Sequence, residues 1–512
     1  MTINAEVPVA AARGGPVAAA AGHGERDAEG TTSGADLVLP LLAVGGVGVL
    51  AGYGYVRRTR RGRTRTTPGV VSAQPPVTPL PTLERQAGTA LVQADDCLRT
   101  SREELAFVEA RFGAAAVEPF VRALREAERE LSAAFSIRLR YGHGVPEEEA
   151  ARRQALAGIV GRCAEAGRRL DTEAPAFDQL RALEREMNEA LGVAEARFRE
   201  LTGRTGGVEA TLAGLRHAHY PAPATTTSIS ASTSVSAPTS ATTVTGYVEQ
   251  AKDRLVFATT HLNQARQAAD LGHTGEAIRA LRAAEGAISQ ADTFLNAVDR
   301  LANSLADAAE LVPATLTGAE ADIARATTKG ATGPLHTQLA HTQLTQTQLA
   351  HAHTTLAAVR EELTGDHSYG YDPLDALRRI VQAMLPLGAT RDGVLSAAAW
   401  LVARNDVGSA DGFVATHRGA VGVEARTRLT EAELLLKTDP AAADVPALDA
   451  RELAEQDVRV HGNPYAGAAD EHTSGVGGAV LGGILLGEDP DGGPPLAFGG
   501  PATRKRRGLP PT

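Results

Sequence analysis

The sequence predicts an all-α chain: one N-terminal transmembrane helix, then long amphipathic helices in antiparallel coiled-coil or helical-hairpin bundles. Three observations predict it. Residues 37–56 (LVLPLLAVGGVGVLAGYGYV) hold no charge and are long enough to cross roughly 30 Å of hydrocarbon. Apolar residues then recur three and four positions apart in three long blocks, the seam of a heptad helix. Aromatics make up only 4% of the chain and Trp occurs once, thin material for α/β cores, whereas alanine, the strongest helix former, is abundant.

The first 36 residues read as a disordered extracytoplasmic tail. Six arginines (Arg57, Arg58, Arg60, Arg61, Arg63, Arg65) follow the 37–56 span, with only Arg13 and Arg26 before it. By the positive-inside rule this predicts a single-pass plasma-membrane protein, N-terminus outside and the bulk of the chain cytoplasmic. Residues 57–82 form a basic and proline-rich linker, extended and semi-rigid.

Helical block 1, residues 83–219, carries the seam Leu91, Ala94, Leu98, Ser101, Leu105, Val108, Phe112. It continues through Val117, Phe120, Leu124, Ala127, Leu131 and Ala134. After the break at 141–146, Pro146 and three glutamates start a run from Leu156 through Cys163 to Leu201, which Pro175 should kink. Residues 220–246, rich in Ser, Thr and Pro and without charge, read as a linker.

Block 2, residues 247–366, pairs the seam Val248, Ala251, Leu255, Ala258, Leu262, Ala265 with a return from Leu281 to Val312 across a turn at 271–275. Its end, 335–356, repeats HTQLA-like units five apart, a spacing that fits neither 3.5 nor 3.6. Block 3, residues 371–460, has breaks at 386–392 and 439–446. Residues 461–512 are Gly- and Pro-rich and read as a disordered tail.

Motifs for chemistry are absent from the sequence. No GxxxxGK[ST], GxGxxG after a strand, HExxH, GxSxG or paired CxxC occurs, so no catalytic, cofactor-binding or metal-ligating residue is assigned and no cofactor is expected. The pairs His217/His219 and His351/His353 are two apart and point to different helix faces. His336 and His341 follow the local repeat, which explains them without zinc. Cys163 sits in a seam as a small core residue, and two cysteines make no disulfide framework. A net charge of −10 argues against nucleic acid as a partner. The carboxylates read as solvent-face partners of arginines three or four positions away. Residues 477–487 (GGAVLGGILLG) are apolar but too short to span a bilayer, and Arg504 to Arg507 behind them would suit an anionic surface.

Several stretches together resemble the membrane-anchored TPM-domain proteins of actinobacteria, streptomycetes especially. They are VEQAKDRLVFATTHLNQAR (248–266), YDPLDALRRI (371–380), FVATHRGAVGVEARTRLTEAE (413–433), LAEQDVRVHGNPYAG (453–467) and the 477–487 tail. ALVQADDCLRTSREELAFVEARFG (90–113) and LTGRTGGVEATLAGLR (201–216) are weaker echoes. The resemblance covers roughly residues 83–487. It implies a secreted α/β TPM domain before the membrane span and cytoplasmic helices after it, with plant relatives linked to phosphatase activity and photosystem repair. Here 36 residues precede the span, too few for that domain, so no TPM site residue is carried over.

The expected function is that of a membrane-tethered cytoplasmic scaffold without a catalytic site. Its expected partners are the cell membrane and proteins, or a second copy, bound through the helical seams. The alternatives are a peripheral inner-leaflet or envelope-associated factor, and a remnant or partner of a TPM-type phosphatase-like protein.

Overall fold

A computed structural model describes residues 78–219, 244–330, 338–365, 371–387, 393–461 and 497–506, and among them every regular element is helical. Twelve α-helices run in chain order: α1 Leu80–Phe112, α2 Ala114–His143, α3 Glu149–Arg181, α4 Met187–His219, α5 Tyr247–Asp270, α6 Thr274–Gly330, α7 Gln338–Thr364, α8 Pro373–Met384, α9 Gly393–Thr416, α10 Val423–Thr438, α11 Pro440–His461 and α12 Pro501–Arg506.

The predicted seams are the buried faces. In α1, Leu91, Ala94, Leu98, Ser101, Leu105 and Val108 are all buried, as are Val248, Ala251, Leu255, Ala258, Leu262 and Ala265 in α5. Periodicity decides this because only residues three and four apart share one helix face. Chain reversals fall where local chemistry allows them. Gly113 closes α1 with φ 79°, donating its N–H to the Glu109 carbonyl. Gly272, φ 75°, turns α5 into α6 while His273 N–H reaches the Ala268 carbonyl at 2.8 Å. Both positions need a left-handed backbone, which glycine adopts without steric cost. Asp372 caps α8, its carboxylate accepting from the N–H of Leu374 and Asp375.

Three apolar clusters result. The first joins α1, α2 and α3; the second joins α4 to α8 with the front of α9; the third joins the back of α9 to α10 and α11. α9 therefore bridges two cores, with Leu395 and Val402 in one and Phe413 and Val414 in the other. α4 shares its core with α5 and α6, so the change of core falls at residues 182–186 and not at the 220–246 tract. The described residues, from Thr78 onward, belong to one compact unit.

Several expectations are corrected. The run from 156 to 201 is two helices: Pro175 lies inside α3, and the break comes at Ala182, which takes a left-handed conformation, φ 46°. α3 starts at Glu149, three residues after Pro146. Pro446 lies inside α11, and a break the periodicity does not announce opens at residues 417–422. Residues 497–506 are not a disordered tail: they are folded against α1 and α3, because Phe498 is buried in the first core.

The single-pass membrane localisation is also corrected. Among the described residues no helix is long and apolar enough to cross a membrane. The helices carry charges too frequently for a spanning segment: α6 holds Glu276, Arg279, Arg282, Glu285, Asp292, Asp299 and Arg300 within seven turns. The 37–56 segment, residues 57–77 of the 57–82 linker and the 477–487 stretch lie outside the described residues, and residues 80–82 of that linker are the first turn of α1.

Candidate functional site

Asp95 and Asp96 of α1 are neighbours in sequence and both are buried. Two adjacent carboxylates leave water only where cations meet them. The cation is Arg426 of α10, 1% exposed, whose Nη1 lies 2.5 Å from Asp95 Oδ2 and 2.8 Å from Asp96 Oδ1. Its other donors go to the backbone of the 417–422 turn: Nε to the Val421 carbonyl at 3.1 Å and Nη2 to the Arg418 carbonyl at 2.6 Å. The turn is thus folded around Arg426, which is why the helix breaks there. Gly422 N–H, donating to Asp457 Oδ2, ties the turn to α11.

Two further arginines extend this clasp. Arg99 donates to Asp95 at 3.0 Å and across to Asp411 of α9 at 2.8 Å. Arg418 forms a two-pronged pair with Glu103 at 2.6 and 3.0 Å, the geometry that planar guanidinium and carboxylate groups share. The clasp fastens α1 of the first core to α9 and α10 of the third. A second clasp fastens the first core to the second: Arg181, at the end of α3, is buried between Glu104 of α1 and Glu285 of α6.

Beside the first clasp lies a cleft of about 370 Å³ between α1, α2 and α10, with Phe135 and Leu429 on its apolar side. Burial pushes the Asp95 carboxyl up, but Arg99 and Arg426 outweigh it and hold it below the ordinary carboxylate value. Glu433, which lines the same cleft, goes the other way. Burial, and then the nearby charge of Asp411, push it up to about 7 against the pull of Arg99 and Lys437. The cleft therefore pairs a fixed anion with a carboxyl that takes up a proton near neutrality. Among the described residues no group of three or more His, Cys, Asp or Glu is placed to hold a metal ion.

A buried corner at the base of α9 shows the same style of construction. His417 is 2% exposed, with Nδ1 beside the Phe413 carbonyl and Thr416 Oγ1 and its ring stacked on Phe413. Burial depresses it to about 4. Arg451 of α11 lies over the other residue of that stack, 4.1 Å from the Phe413 ring, and donates to Tyr247 Oη at 3.0 Å.

Cys163 is buried in the first core, as its seam position implies, and burial raises its thiol to about 12; Cys97 is likewise buried and raised to about 11. His217, His351 and His353 are exposed, and the side chains of His219, His336 and His341 lie outside the described residues. Sequence reasoning placed the acidic residues on solvent faces. The structure buries Asp95, Asp96, Glu104 and Glu285 instead. A signal for the first pair existed: Asp95 and Asp96 directly follow the seam residue Ala94, so they stand at the edge of the buried face.

Comparison with known proteins agrees in part with that resemblance. Two UPF0603 proteins of Mycobacterium tuberculosis, from strains CDC 1551 / Oshkosh and ATCC 25618 / H37Rv, are each 29% identical to this chain over 443 residues. The match covers 82% of this chain and 64% of each relative, so the chain spans less than two thirds of their length. No family model matches the sequence, and no solved structure does.

Proposed function

We propose that this chain is a helical scaffold that binds protein partners or further copies of itself and has no intrinsic catalysis. One observation supports the reading: buried acidic groups that the sequence places on solvent faces are spent on fastening helices to one another. Asp95, Asp96, Glu104 and Glu285 each meet an arginine from another helix and Glu103 meets Arg418 of the 417–422 turn, and that use fixes the relative placement of three cores. Rigid helix faces held at fixed spacing are what a binding platform requires. Placement among the TPM-domain proteins of actinobacteria belongs to the same proposal. It is supported by the two quoted stretches, 90–113 and 413–433, that supply the two sides of the first clasp.

The purified chain should show strong helical circular dichroism and no turnover of phosphate esters. Cross-linking in its native cells should place partner contacts on exposed helix faces. Phosphatase turnover by the chain alone would overturn the reading.

A further inference from the structure

The first core is completed by a segment far away in sequence. Phe498 is fully buried, stacked on Phe177 at 4.3 Å between ring centroids and edge-on to Phe120 at 5.8 Å. The backbone that follows is held by two side chains. Ser101 Oγ accepts from Gly499 N–H at 3.2 Å, which explains a serine in an apolar seam. The Asp171 carboxylate accepts three N–H groups, from Gly500, Ala502 and Thr503, at 2.8 to 3.2 Å. Arg504 then donates to the Asp96 carbonyl and to Thr100 Oγ1.

Each residue of the Phe-Gly-Gly-Pro segment answers to a feature of the groove. Gly499 has φ 134°, a conformation that L side chains rarely adopt. A Cβ on Gly500 would collide with the Gly167 backbone of α3, and a Cβ on Gly167 would come within 2.6 Å of Pro501 Cδ. The groove thus discriminates by shape, by ring stacking and by backbone hydrogen bonds, the combination by which folded domains read short peptides.

The 497–506 segment is joined to α11 only through residues 462–496. About 35 residues reach roughly 115 Å when extended, so the tether does not dictate which copy's groove a segment enters. We propose that α1, α2 and α3 form a recognition site for a Phe-Gly-Gly-Pro peptide, and that the 497–504 segment of a second copy of this chain occupies it in exchange for the chain's own. Exchange of identical elements needs no new surface, because both halves of the contact are already built in every copy. The exchange specifies one mode of the self-association in the scaffold reading and rests on that reading.

Two full-length variants test it by complementation. Phe498→Ala removes the anchor of the segment and leaves the groove empty; Asp171→Ala removes the acceptor of three backbone N–H groups and leaves the segment free. Each variant alone should run as one 53.1 kDa chain in light scattering. An equimolar mixture should approach twice that mass. A synthetic peptide of residues 497–506 should reverse the association, and the same peptide with Ala in place of Phe should not. Labelled wild-type peptide should bind the Phe498→Ala chain about tenfold more tightly than the wild-type chain, where a tethered competitor is present at roughly millimolar effective concentration.

If Phe498→Ala loses helical circular dichroism, Gly500→Ala opens the groove by backbone collision and takes its place. No heteroassociation together with no peptide binding to either opened chain would overturn the proposal. Equal binding of the Phe-lacking peptide would do so as well. The scaffold reading is tested apart from this, since neither measurement involves phosphate-ester turnover or any other partner.

Discussion

The α5–α6 hairpin and the junction of α1 with α10 are held together by opposite means. In the hairpin, alanines alternate with leucines along both seams, and buried Ala251, Ala258 and Ala265 share a core with Ala277, Ala284 and Ala291. Small side chains let two helices approach closely, and cohesion comes from many modest apolar contacts. At the α1–α10 junction a few arginines replace that seam, and each buried guanidinium has specific anions to satisfy. Seams tolerate approximation, whereas a buried ion pair loses most of its value when one partner goes. The hairpin is therefore cohesive by area and the junction by geometry.

The largest loss is expected from removing one arginine. Arg426→Met leaves Asp96 buried without its arginine and Asp95 with Arg99 alone, and should cost about 3–5 kcal/mol, with loss of the 417–422 turn. Arg181→Met should do the same at the junction with α6. Adding Glu104→Leu and Glu285→Leu to Arg181→Met should recover part of that loss, because the two carboxylates no longer lack a partner while Arg282 keeps only Asp178, at 3.9 Å. Urea denaturation of the single and triple variants decides it; a triple variant no more stable than the single one would show that the clasp stabilises by more than mutual neutralisation.

A truncation in the hairpin should be milder for its size. Leu262→Ala deletes a buried side chain from a seam and should cost about 2–3 kcal/mol, at the low end for leucine because small flanking residues can close the gap. Leu255→Asp places a charge in the same seam with no arginine built to receive it, and should loosen α5 from α6. Amide exchange would show opening confined to α5 and α6. Exchange spreading into the α1–α3 core would mean that the clusters are not separately cohesive.

Buried titrating groups make the stability of the third core and its neighbours depend on pH. His417 is depressed to about 4 from an unfolded value near 6.5. Its contribution is fully present above about 6.5 and is lost as pH falls through about 4. Asp406, which faces Arg378 and Asp444, is raised by burial, then by Asp444, against the pull of Arg378. Its contribution is present below about 4 and is lost as pH rises through about 7. Thermal melts should show Asp406→Asn flattening the loss toward neutral pH and His417→Gln flattening the loss toward acid. Unchanged profiles would remove both groups from the account.

What the sequence revealed and what it hid follow the same division. Heptad spacing marks a seam because burial repeats every turn, so Leu91 to Val108 and Val248 to Ala265 were legible residue by residue. The clasps were not, because Arg426 stands 330 positions from Asp96 and a lone sequence gives no measure of which charges meet. Asp95 and Arg99, four apart, read as a surface pair; they do pair, at 3.0 Å, but inside the molecule. Phe498 was hidden for a related reason: in a Gly- and Pro-rich tract its composition signals no helix, and the groove it fills is built from three others.

The smallest effect is expected where repetition in sequence suggests importance and the structure shows exposure. His351 and His353 stand on the exposed face of α7, while the residue between them, Ala352, is buried. Two positions apart on a helix, the two imidazoles do not converge, and the five-residue repeat places no further described ligand beside them. Replacing both with Ala should shift stability by no more than about 0.5 kcal/mol, as for other surface changes that break no contact. Ala352→Asp, one residue away, should cost several times more by driving a charge against the second core. The pair is informative because it asks whether α7 packs in the register of its buried alanine or merely follows its duplicated sequence. Equal effects from the two substitutions would mean that α7 is not seated by Ala352, Leu356 and Val359.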